Sequence, residues 1–326
     1  AALLTFGLTN PGVLLNFATF WRNVSREAAI ARGVVDVPYT RQFHATWPYV
    51  YSMRQMLLWG MGAPLGLAAF AGFALQAWCA VRRPPSRSEW VVMMWAFPFF
   101  AFVGALYAKF PRYLLPLTPV LMLYAARASL ACSRRTCWLS VVCLAATGLH
   151  CLVFLSLYRL PHPWLQASRW IESHVPPGST LAVEAWDHPL PVDQAGAYDV
   201  RVLPIFEEDT AHKWAQMAAV LEEADYVIVA SRRGYGSLTQ WADRYPRMAR
   251  YYDRLFDGAL GFEAVACLRR DPRIGPLVVA DGAAFDAGLH VPVVCQPQAG
   301  GVVWLRGLDE SVLVFDHPGE IILREH

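Results

Sequence analysis

Two basic side chains, Lys109 and Arg112, stand in a short hairpin between two long uncharged stretches. Neither 90–108 nor 113–126 contains a charged residue, which is typical of membrane-spanning segments. So short a turn between two such segments lies at the level of the lipid headgroups, where the available anion is a phosphate. Arginine offers a planar fork of donors and lysine a mobile point charge, and with the adjacent Tyr113 they suit a phosphate ligand. From spacing alone, a pair of interfacial anchors that only sets helix depth is the simpler explanation.

A polar and aromatic stretch, 36–44, precedes the first long apolar segment. Tyr39, Arg41, Gln42 and His44 in it are candidate sugar ligands, because aromatic faces and amide or guanidinium groups bind hydroxyl-rich molecules. A loop that only lies on the membrane surface accounts for the same residues equally well. On the sequence alone, both interpretations stay open.

No catalytic residue can be assigned from the motifs. Glu27 and Asp36 are candidate general bases, although solvated loop acids are the simpler explanation. A Gly-Tyr-Gly at 234–236 is not a dinucleotide-binding loop, because Thr239 replaces the third glycine, and we predict a turn there. The sequence has no Walker loop, zinc-ligand spacing, nucleophile elbow or His/Cys catalytic pattern. The acidic second half argues against a nucleic-acid partner.

The elements that must position these residues divide the chain into two parts. Residues 1–159 hold 14 Lys+Arg against 3 acids, a net charge of +11, and 160–326 hold 14 against 23, a net charge of −9. A chain that is 56% hydrophobic is too apolar for an ordinary soluble enzyme. A basic membrane part followed by an acidic water-soluble domain explains both observations. The predicted spans are 55–81, 90–108, 113–132 and 137–158, preceded by an outer loop over 11–54.

The distribution of arginine predicts the orientation in the membrane. The basic turns at 82–87 and 134–135 fall on one side, and the Lys109–Arg112 hairpin and the second part fall on the other. By the positive-inside rule, the chain is a multi-pass cell-membrane protein whose C-terminal domain is extracytoplasmic. Five arginines within 11–54 run against that rule and require another explanation, such as an anionic ligand.

After residue 159, strands and helices alternate, which predicts an α/β domain with a mainly parallel sheet and a β-rich end from Pro276 onward. Cys267 and Cys295 lie in this domain and could pair, but since sequence alone cannot establish a bridge we expect two unpaired thiols. The predicted strands are 180–185, 200–206, 226–230, 262–268, 277–280, 302–305, 312–315 and 321–323, and the predicted helices are 168–174, 212–223 and 238–256.

Several motifs together resemble a known family. The first part contains Asn10-Pro11, Asp36-Val-Pro-Tyr-Thr-Arg-Gln-Phe, Leu58-Trp-Gly-Met-Gly-Ala-Pro-Leu-Gly and Lys109-Phe-Pro-Arg-Tyr-Leu-Leu-Pro-Leu. The second part contains Ala167-Ser-Arg-Trp-Ile, Pro176-Pro-Gly-Ser-Thr, Ser231-Arg-Arg-Gly-Tyr, Leu255-Phe-Asp-Gly and Phe315-Asp-His-Pro. The set resembles bacterial glycosyltransferase family 39, related to the dolichyl-phosphate-mannose protein mannosyltransferases. The resemblance implies a polytopic, all-α, GT-C-like membrane region followed by a soluble α/β domain.

The resemblance also implies an activity. Such enzymes transfer a sugar from a polyprenyl phosphate to a protein, lipid or glycan acceptor on the outer side of the membrane, with inversion. Lys109, Arg112 and Tyr113 would then face the lipid phosphate, and 36–44 would border the site. The family's catalytic acid lies in its first outer loop, which this chain lacks, so the catalytic residue stays unknown. We expect the chain, which opens at Ala1 with an apolar stretch too short to span, to be the C-terminal part of a longer protein and inactive alone.

The implied mechanism depends on charge stabilisation, and two other functions remain as alternatives. An acid deprotonates the acceptor hydroxyl, the polyprenyl phosphate leaves as an anion, and Lys109 and Arg112 stabilise the developing charge. A divalent metal at the phosphate is left open by the resemblance, but no ligand set is visible. The alternatives are a non-catalytic, membrane-anchored glycan-binding module and a lipid-linked-sugar transporter. A transporter should carry polar residues inside its helices, and the predicted spans hold few.

Overall fold

The computed structural model describes residues 2–130, 137–185, 190–192, 196–282, 288–290, 292–297, 300–305, 307–314 and 318–326. The predicted basic turn at 134–135 and most of the Phe315-Asp-His-Pro motif lie outside them. The first part of the chain is mainly helical. Its helices are α1 (Ala2–Thr9), α2 (Pro11–Leu15), α3 (Phe17–Ala31), α4 (Val50–Gln55), α5 (Ala63–Arg82), α6 (Arg87–Ala105), α7 (Thr118–Leu130) and α8 (Cys137–Leu155). Short 3-10 helices occupy Pro38–Phe43, Pro111–Leu117 and Ser156–Arg159, and a π-helical turn occupies Met56–Gly60.

In the described part, three helical segments are long and apolar enough to cross a membrane. They are α5, α6 and a longer helical stretch that includes α8. Only 28% of the apolar window of α5 and 22% of that of α6 are buried within the protein. Large apolar side chains such as Leu67, Trp95 and Leu144 are exposed instead. Apolar surface on this scale is compatible with a location in a membrane.

Two predicted spans differ in detail from the helices that form. Within the span predicted at 55–81, the long helix begins only at Ala63. The helical conformation is interrupted at Gly62, where φ is +77°. Pro64 does not kink this helix; it stands in the first turn, where a missing N–H removes no hydrogen bond. The span predicted at 113–132 starts as the proline-containing 3-10 helix and continues as α7.

Close backbone contact holds α5 against α7. A Cβ atom added to Gly72 of α5 would lie 2.5 Å from the carbonyl oxygen of Tyr124 in α7. Around this contact, the ring of Phe73 stacks on that of Phe97 with centroids 4.3 Å apart, and Leu121 is fully buried. The helices therefore approach as membrane helices do when a small residue stands at the crossing.

The outer segment 11–54, predicted as a loop, contains α2, α3 and α4. Apolar residues recur along α3 at the three- and four-residue spacing of one helix face, as Trp21 and Val24 do, and this pattern drives the helix. The segment turns after α3 at Gly33, where φ is +75° and a Cβ would lie 2.6 Å from the ring of Tyr107. Only glycine fits there without strain.

The second part combines helices with two sheets. Its helices are α9 (Pro163–His174), α10 (Ala211–Glu222), α11 (Arg233–Leu238), α12 (Pro246–Phe256) and α13 (Glu310–Leu313). Its strands are β1 (Thr180–Glu184), β2 (Asp199–Leu203), β3 (Tyr226–Val229), β4 (Phe262–Leu268), β5 (Arg273–Ile274), β6 (Leu277–Asp281), β7 (Gly301–Leu305) and β8 (Glu320–Glu325). Further 3-10 turns occupy Thr239–Trp241 and Val293–Cys295.

The main sheet is mixed, so the prediction of a mainly parallel sheet was wrong. Its order is β2-β1-β3-β8-β4, with β1 parallel to both neighbours and β8 antiparallel to β3 and β4. A buried strand has the same apolar pattern in either direction, so the sequence cannot reveal that the last strand inserts between β3 and β4. The smaller sheet has the order β5-β6-β7 and supplies the predicted β-rich end.

Near the C-terminus, the strand predicted at 312–315 was wrong, since its first two residues, Val312 and Leu313, belong to α13 and Val314 follows in a turn. The carboxylate of Asp309 caps this helix by accepting a hydrogen bond of 2.8 Å from the backbone N–H of Ser311. An N-cap of this kind outweighs the β propensity of the valines that follow.

The helix predicted at 238–256 is divided. It consists of the end of α11, the Thr239–Trp241 turn and α12, which begins at Pro246 because proline suits a first turn and not an interior. The glycines at 234–236, predicted as a turn, lie within α11.

Cys267 and Cys295 form a disulfide, so the prediction of two unpaired thiols was wrong. Cys267 lies on β4 and Cys295 ends a 3-10 turn, and their Cα atoms are 5.1 Å apart. The two cysteines are 28 residues apart in sequence, and only the packing of the turn on β4 brings them together.

The two parts of the chain contact each other through the segment 36–55. The hydroxyl of Tyr51 donates to Oδ2 of Asp309 over 2.7 Å, and Nε2 of Gln55 donates to the carbonyl of Gly307 over 2.8 Å. This segment therefore lies between the membrane-type helices and the α/β domain.

Candidate functional site

A large cavity of about 1060 Å³ opens between α3 and the end of α6. Most of its wall is apolar, formed by helix side chains such as Phe102. Among the described residues that line it, Arg32, Lys109 and Arg112 are cations and Glu27 is the one acid, which leaves a formal charge of +2. An apolar chamber with an excess of positive charge suits an amphiphilic anion.

Lys109 is buried at the wall of this cavity, with 3% of its surface exposed. Its Nζ donates to the carbonyl of Tyr107 over 3.0 Å and to Oγ1 of Thr46 over 3.2 Å, and it lies 5.8 Å from the ring centre of Phe43. No carboxylate in the described part lies within ion-pair distance. Burial lowers the pKa of Lys109, since the charged form loses hydration. A bound anion would compensate that loss.

Arg112 is exposed toward the same cavity. Its guanidinium carbon lies 4.2 Å from the ring centre of Phe110 and 5.7 Å from that of Tyr113, which also lines the cavity. Within the described ranges the guanidinium makes neither a hydrogen bond nor an ion pair. Its donors therefore remain available to a ligand.

The predicted sugar-binding stretch packs directly on the hairpin. The ring of Phe43 meets that of Phe110 edge to face with centroids 4.9 Å apart, and Tyr39 lies 6.1 Å from Phe110. Ala108 completes this small buried cluster. Aromatic packing thus brings the two separately predicted groups of residues together.

Two smaller cavities share lining residues with the large one. A cavity of about 260 Å³ shares Arg112 with it and is also lined by Tyr39, Gln42, Arg233, Glu310 and Ser311. A third, of about 180 Å³, contains Gln42 and His44, and the imidazole of His44 stacks on Trp241 with centroids 4.2 Å apart.

Gln42 is held by both parts of the chain. Its Oε1 accepts a hydrogen bond from the backbone N–H of Glu310 over 2.8 Å. Its Nε2 donates to the carbonyl of Tyr39 over 3.3 Å. The amide therefore has a defined orientation between the two smaller cavities.

Arg41 is turned toward the α/β domain instead. Its Nε pairs with Oδ1 of Asp36 at 3.2 Å, its Nη2 donates to the carbonyl of Phe206 over 3.1 Å, and it lies 4.8 Å from the ring centre of Tyr245. Asp36 also pairs with Arg244 at 3.1 Å. The geometry therefore gives Arg41 a role in joining the two domains.

The two candidate bases have different surroundings. Asp36 is not a solvated loop acid, because two arginines and the hydroxyl of Tyr245 surround it. Glu27 is exposed and lines the large cavity. Of the two, only Glu27 is placed where a ligand in that cavity would meet it.

Sequence reasoning missed the residues that the α/β domain contributes. Arg233 and Glu310 form a buried ion pair, with Nε and Oε2 separated by 2.6 Å. Burial raises the pKa of Glu310 to about 8, and the charge of Arg233 acts in the opposite direction. Arg233 follows the carboxyl end of β3, where α/β domains bind ligands, and that signal was available. Glu310 gave no signal, because its segment has the composition of a strand.

The donor set does not fit a divalent metal. In the part of the chain that the structure describes, no three His, Cys, Asp or Glu side chains come together as a ligand group. Around Lys109 and Arg112 the cavity offers cations and the single carboxylate of Glu27, whereas Mg²⁺ and related ions prefer several oxygen ligands.

Comparison of the chain with protein-family models, with curated proteins and with solved structures finds no match. The geometry of the three cavities and the sequence motifs therefore carry the proposed function.

Proposed function

We propose that this chain is part of a membrane glycosyltransferase that uses a polyprenyl-phosphate sugar as its donor, like the family-39 enzymes it resembles. The observation that carries the proposal is the cavity of about 1060 Å³, apolar along its helices and lined by Lys109 and Arg112. The apolar wall suits a prenyl chain and the cations suit its phosphate. Two cations that only anchored the helices at the membrane surface would not be expected to line one cavity together with a third cation, Arg32.

In the proposed reaction, an acceptor hydroxyl attacks the anomeric carbon and the bond from that carbon to the phosphate oxygen breaks. The acceptor proton passes to a base, and the polyprenyl phosphate leaves as an anion. Lys109 and Arg112 stabilise the charge that develops on the leaving phosphate. The base is not assigned to a residue of this chain.

The proposal places the α/β domain on the outer side of the membrane. The Cys267–Cys295 disulfide supports this side, because such bonds persist in oxidising compartments. The arginines of the turn at 82–87 then lie inside, as the positive-inside rule favours.

The first prediction concerns Arg112→Ala in the full-length protein. Transfer from a labelled polyprenyl-phosphate sugar, measured in membranes, should fall about a hundredfold or more, because one charge-stabilising donor is lost. Thermal stability should stay close to that of the wild type, since the Arg112 side chain is exposed and has no hydrogen bond to lose.

Arg159→Ala is the matched control. Arg159 is an exposed arginine that ends the 3-10 turn after α8, outside the cavity lining described above. Unchanged turnover in Arg112→Ala would refute the proposed role. Wild-type protein that binds the lipid without transferring sugar would support the glycan-binding module, and movement of the lipid across the bilayer would support the transporter.

A further inference from the structure

The cavity of about 260 Å³ is built from three separate segments of the chain. Tyr39 and Gln42 come from the 3-10 helix Pro38–Phe43, Arg112 comes from the hairpin, and Arg233 and Glu310 come from the α/β domain. Arg112 lines both this cavity and the large one, so a ligand bound at Arg112 would lie next to both.

The cavity is smaller than the large one, and a larger share of its lining residues is polar. Six of its seven lining residues carry a hydrogen-bonding side chain, while apolar atoms form most of the surface in both cavities. Its volume is just below the range of about 300–1,000 Å³ found for drug-sized ligands, which suits a single six-membered ring.

Glu310 supplies a buried acceptor that the protein leaves unused. Its surface is 7% exposed, its Oε2 pairs with Arg233, and its Oε1 has no hydrogen-bond partner among the described residues. A buried oxygen of this kind is costly unless a donor reaches it. A hydroxyl group in the cavity would be such a donor.

The lining as a whole matches a sugar ring. Each hydroxyl of a sugar both donates and accepts, and the cavity offers an acceptor in Glu310, donors in Arg112, and Ser311 with both functions. Tyr39 adds an aromatic surface. A fatty chain or a second phosphate would leave Glu310 without a donor.

We propose that this cavity binds a hexopyranosyl ring, with Glu310 accepting a hydrogen bond from one of its hydroxyls. The inference rests on the proposed function for the phosphate at Lys109 and Arg112, and it adds that the α/β domain takes part in sugar recognition. The ring belongs either to the lipid donor or to a glycan acceptor, since both present the same hydroxyls.

The test compares three probes with the full-length protein in lipid nanodiscs: a polyprenyl phosphate, the corresponding polyprenyl-phosphate mannose, and methyl mannoside. Glu310→Gln should weaken binding of a sugar-bearing probe about tenfold or more and leave binding of the bare polyprenyl phosphate unchanged. Weaker binding of the mannosyl lipid assigns the ring to the donor, and weaker binding of methyl mannoside alone assigns it to the acceptor.

Two further variants protect the test against misfolding, because Glu310→Gln removes the partner of buried Arg233. Ser311→Ala removes a hydroxyl and Tyr39→Leu removes the aromatic surface; neither touches the buried ion pair, and each should weaken binding of the same probe. Glu263→Gln, an exposed acid on β4, is the control and should bind all three probes as the wild type does.

Failure of this inference and failure of the proposed function give different results. If the three cavity variants bind every probe as the wild type does, while Arg112→Ala binds both lipids more weakly, the sugar site is overturned and the lipid function stands. If polyprenyl phosphate does not bind but the cavity variants weaken methyl mannoside, the sugar site stands and the lipid function falls.

Discussion

At the scale of single residues, Lys109 and Arg112 line one cavity but are held differently. Lys109 is buried, and Thr46 and the carbonyl of Tyr107 hold its ammonium group in place. Arg112 is exposed over Phe110 and keeps its donors available. In the proposed reaction, the fixed charge of Lys109 would define the position of the phosphate, and the unused donors of Arg112 would bind it more strongly as its charge develops.

Glu184, at the end of β1, is a buried carboxyl with a separate consequence for stability. It is 3% exposed, and burial raises its pKa to about 8, with the hydroxyl of Tyr252 acting in the opposite direction. Between pH 4.5, the ordinary pKa of a glutamate carboxyl, and pH 8, the folded protein keeps a proton that the unfolded chain has lost. Folding stability should therefore fall as pH rises through this window.

The second prediction is that Glu184→Gln reduces this pH dependence. Within this window, Glu184 lowers the free energy of unfolding by about 1.4 kcal/mol for each pH unit gained, whereas glutamine does not titrate and has no such effect. Thermal unfolding followed by tryptophan fluorescence at pH 5 and pH 8 measures the difference. Exposed Glu222→Gln is the control, and equal pH dependence in wild type and Glu184→Gln would contradict the prediction.

At the scale of elements, the segment 36–55 connects the helical part to the α/β domain through Asp36. Its carboxylate pairs with Arg41 and Arg244 and accepts a hydrogen bond of 3.1 Å from Tyr245. Arg41 is 6% exposed, so it depends on this carboxylate for its charge balance.

The third prediction is that Asp36→Ala loosens the contact between the domains. Leaving a buried arginine without its partner costs about 3–5 kcal/mol. Limited proteolysis should release the α/β domain faster than in the wild type, with cleavage near residue 160. Glu208→Ala is a matched control, because Glu208 is exposed and lies 3.8 Å from the same Arg244. Equal cleavage rates in both variants would show that Asp36 does not hold the contact.

The fourth prediction tests the crossing of α5 and α7. Gly72→Ala places a methyl group 2.5 Å from the carbonyl oxygen of Tyr124, so the helices must separate and the melting temperature should fall. Gly148→Ala in α8 is the control, because a Cβ atom added at this position has no neighbouring atom within 4 Å. That variant should be neutral or slightly stabilising. A melting temperature for Gly72→Ala at or above that of Gly148→Ala would contradict the close packing.

At the scale of the whole molecule, charge and covalent structure agree with two environments. The first part carries +11 and the second −9, and the helices long and apolar enough to cross a membrane all begin in the basic part. The disulfide lies in the acidic part. In the proposed function, the basic part faces lipid and the acidic part lies in an oxidising compartment.

The fifth prediction concerns this disulfide. Cys267→Ser should lower stability by about 3.6 kcal/mol, the value expected for a closed loop of this length, and Cys267→Ser with Cys295→Ser should cost no more. Cys79→Ala, which removes an exposed free thiol, is the control. Thiol-reactive labelling of the protein taken from cells should modify Cys267 only after reduction. Labelling without reduction would contradict the proposed outer location.

Much of the fold was predictable because it depends on neighbours in sequence. The apolar stretches that became α5, α6 and α8, and the strand patterns of β1, β3 and β4, are properties of local composition. The boundaries at Gly62 and Pro246 also have local causes, since each residue restricts its own backbone. The hairpin and the 36–44 stretch were recognised as separate candidates on the same local basis.

By itself, the sequence determined the two-part composition of the molecule and the cationic chemistry of Lys109 and Arg112. The tertiary structure decided that these cations share a cavity, that Arg41 turns to the α/β domain, that Cys267 bonds Cys295, and that Glu310 lies beside Arg112. Each of these depends on contacts between residues far apart in the chain. Such contacts follow from how apolar faces pack in three dimensions, and a local pattern carries no information about which distant face will be its partner.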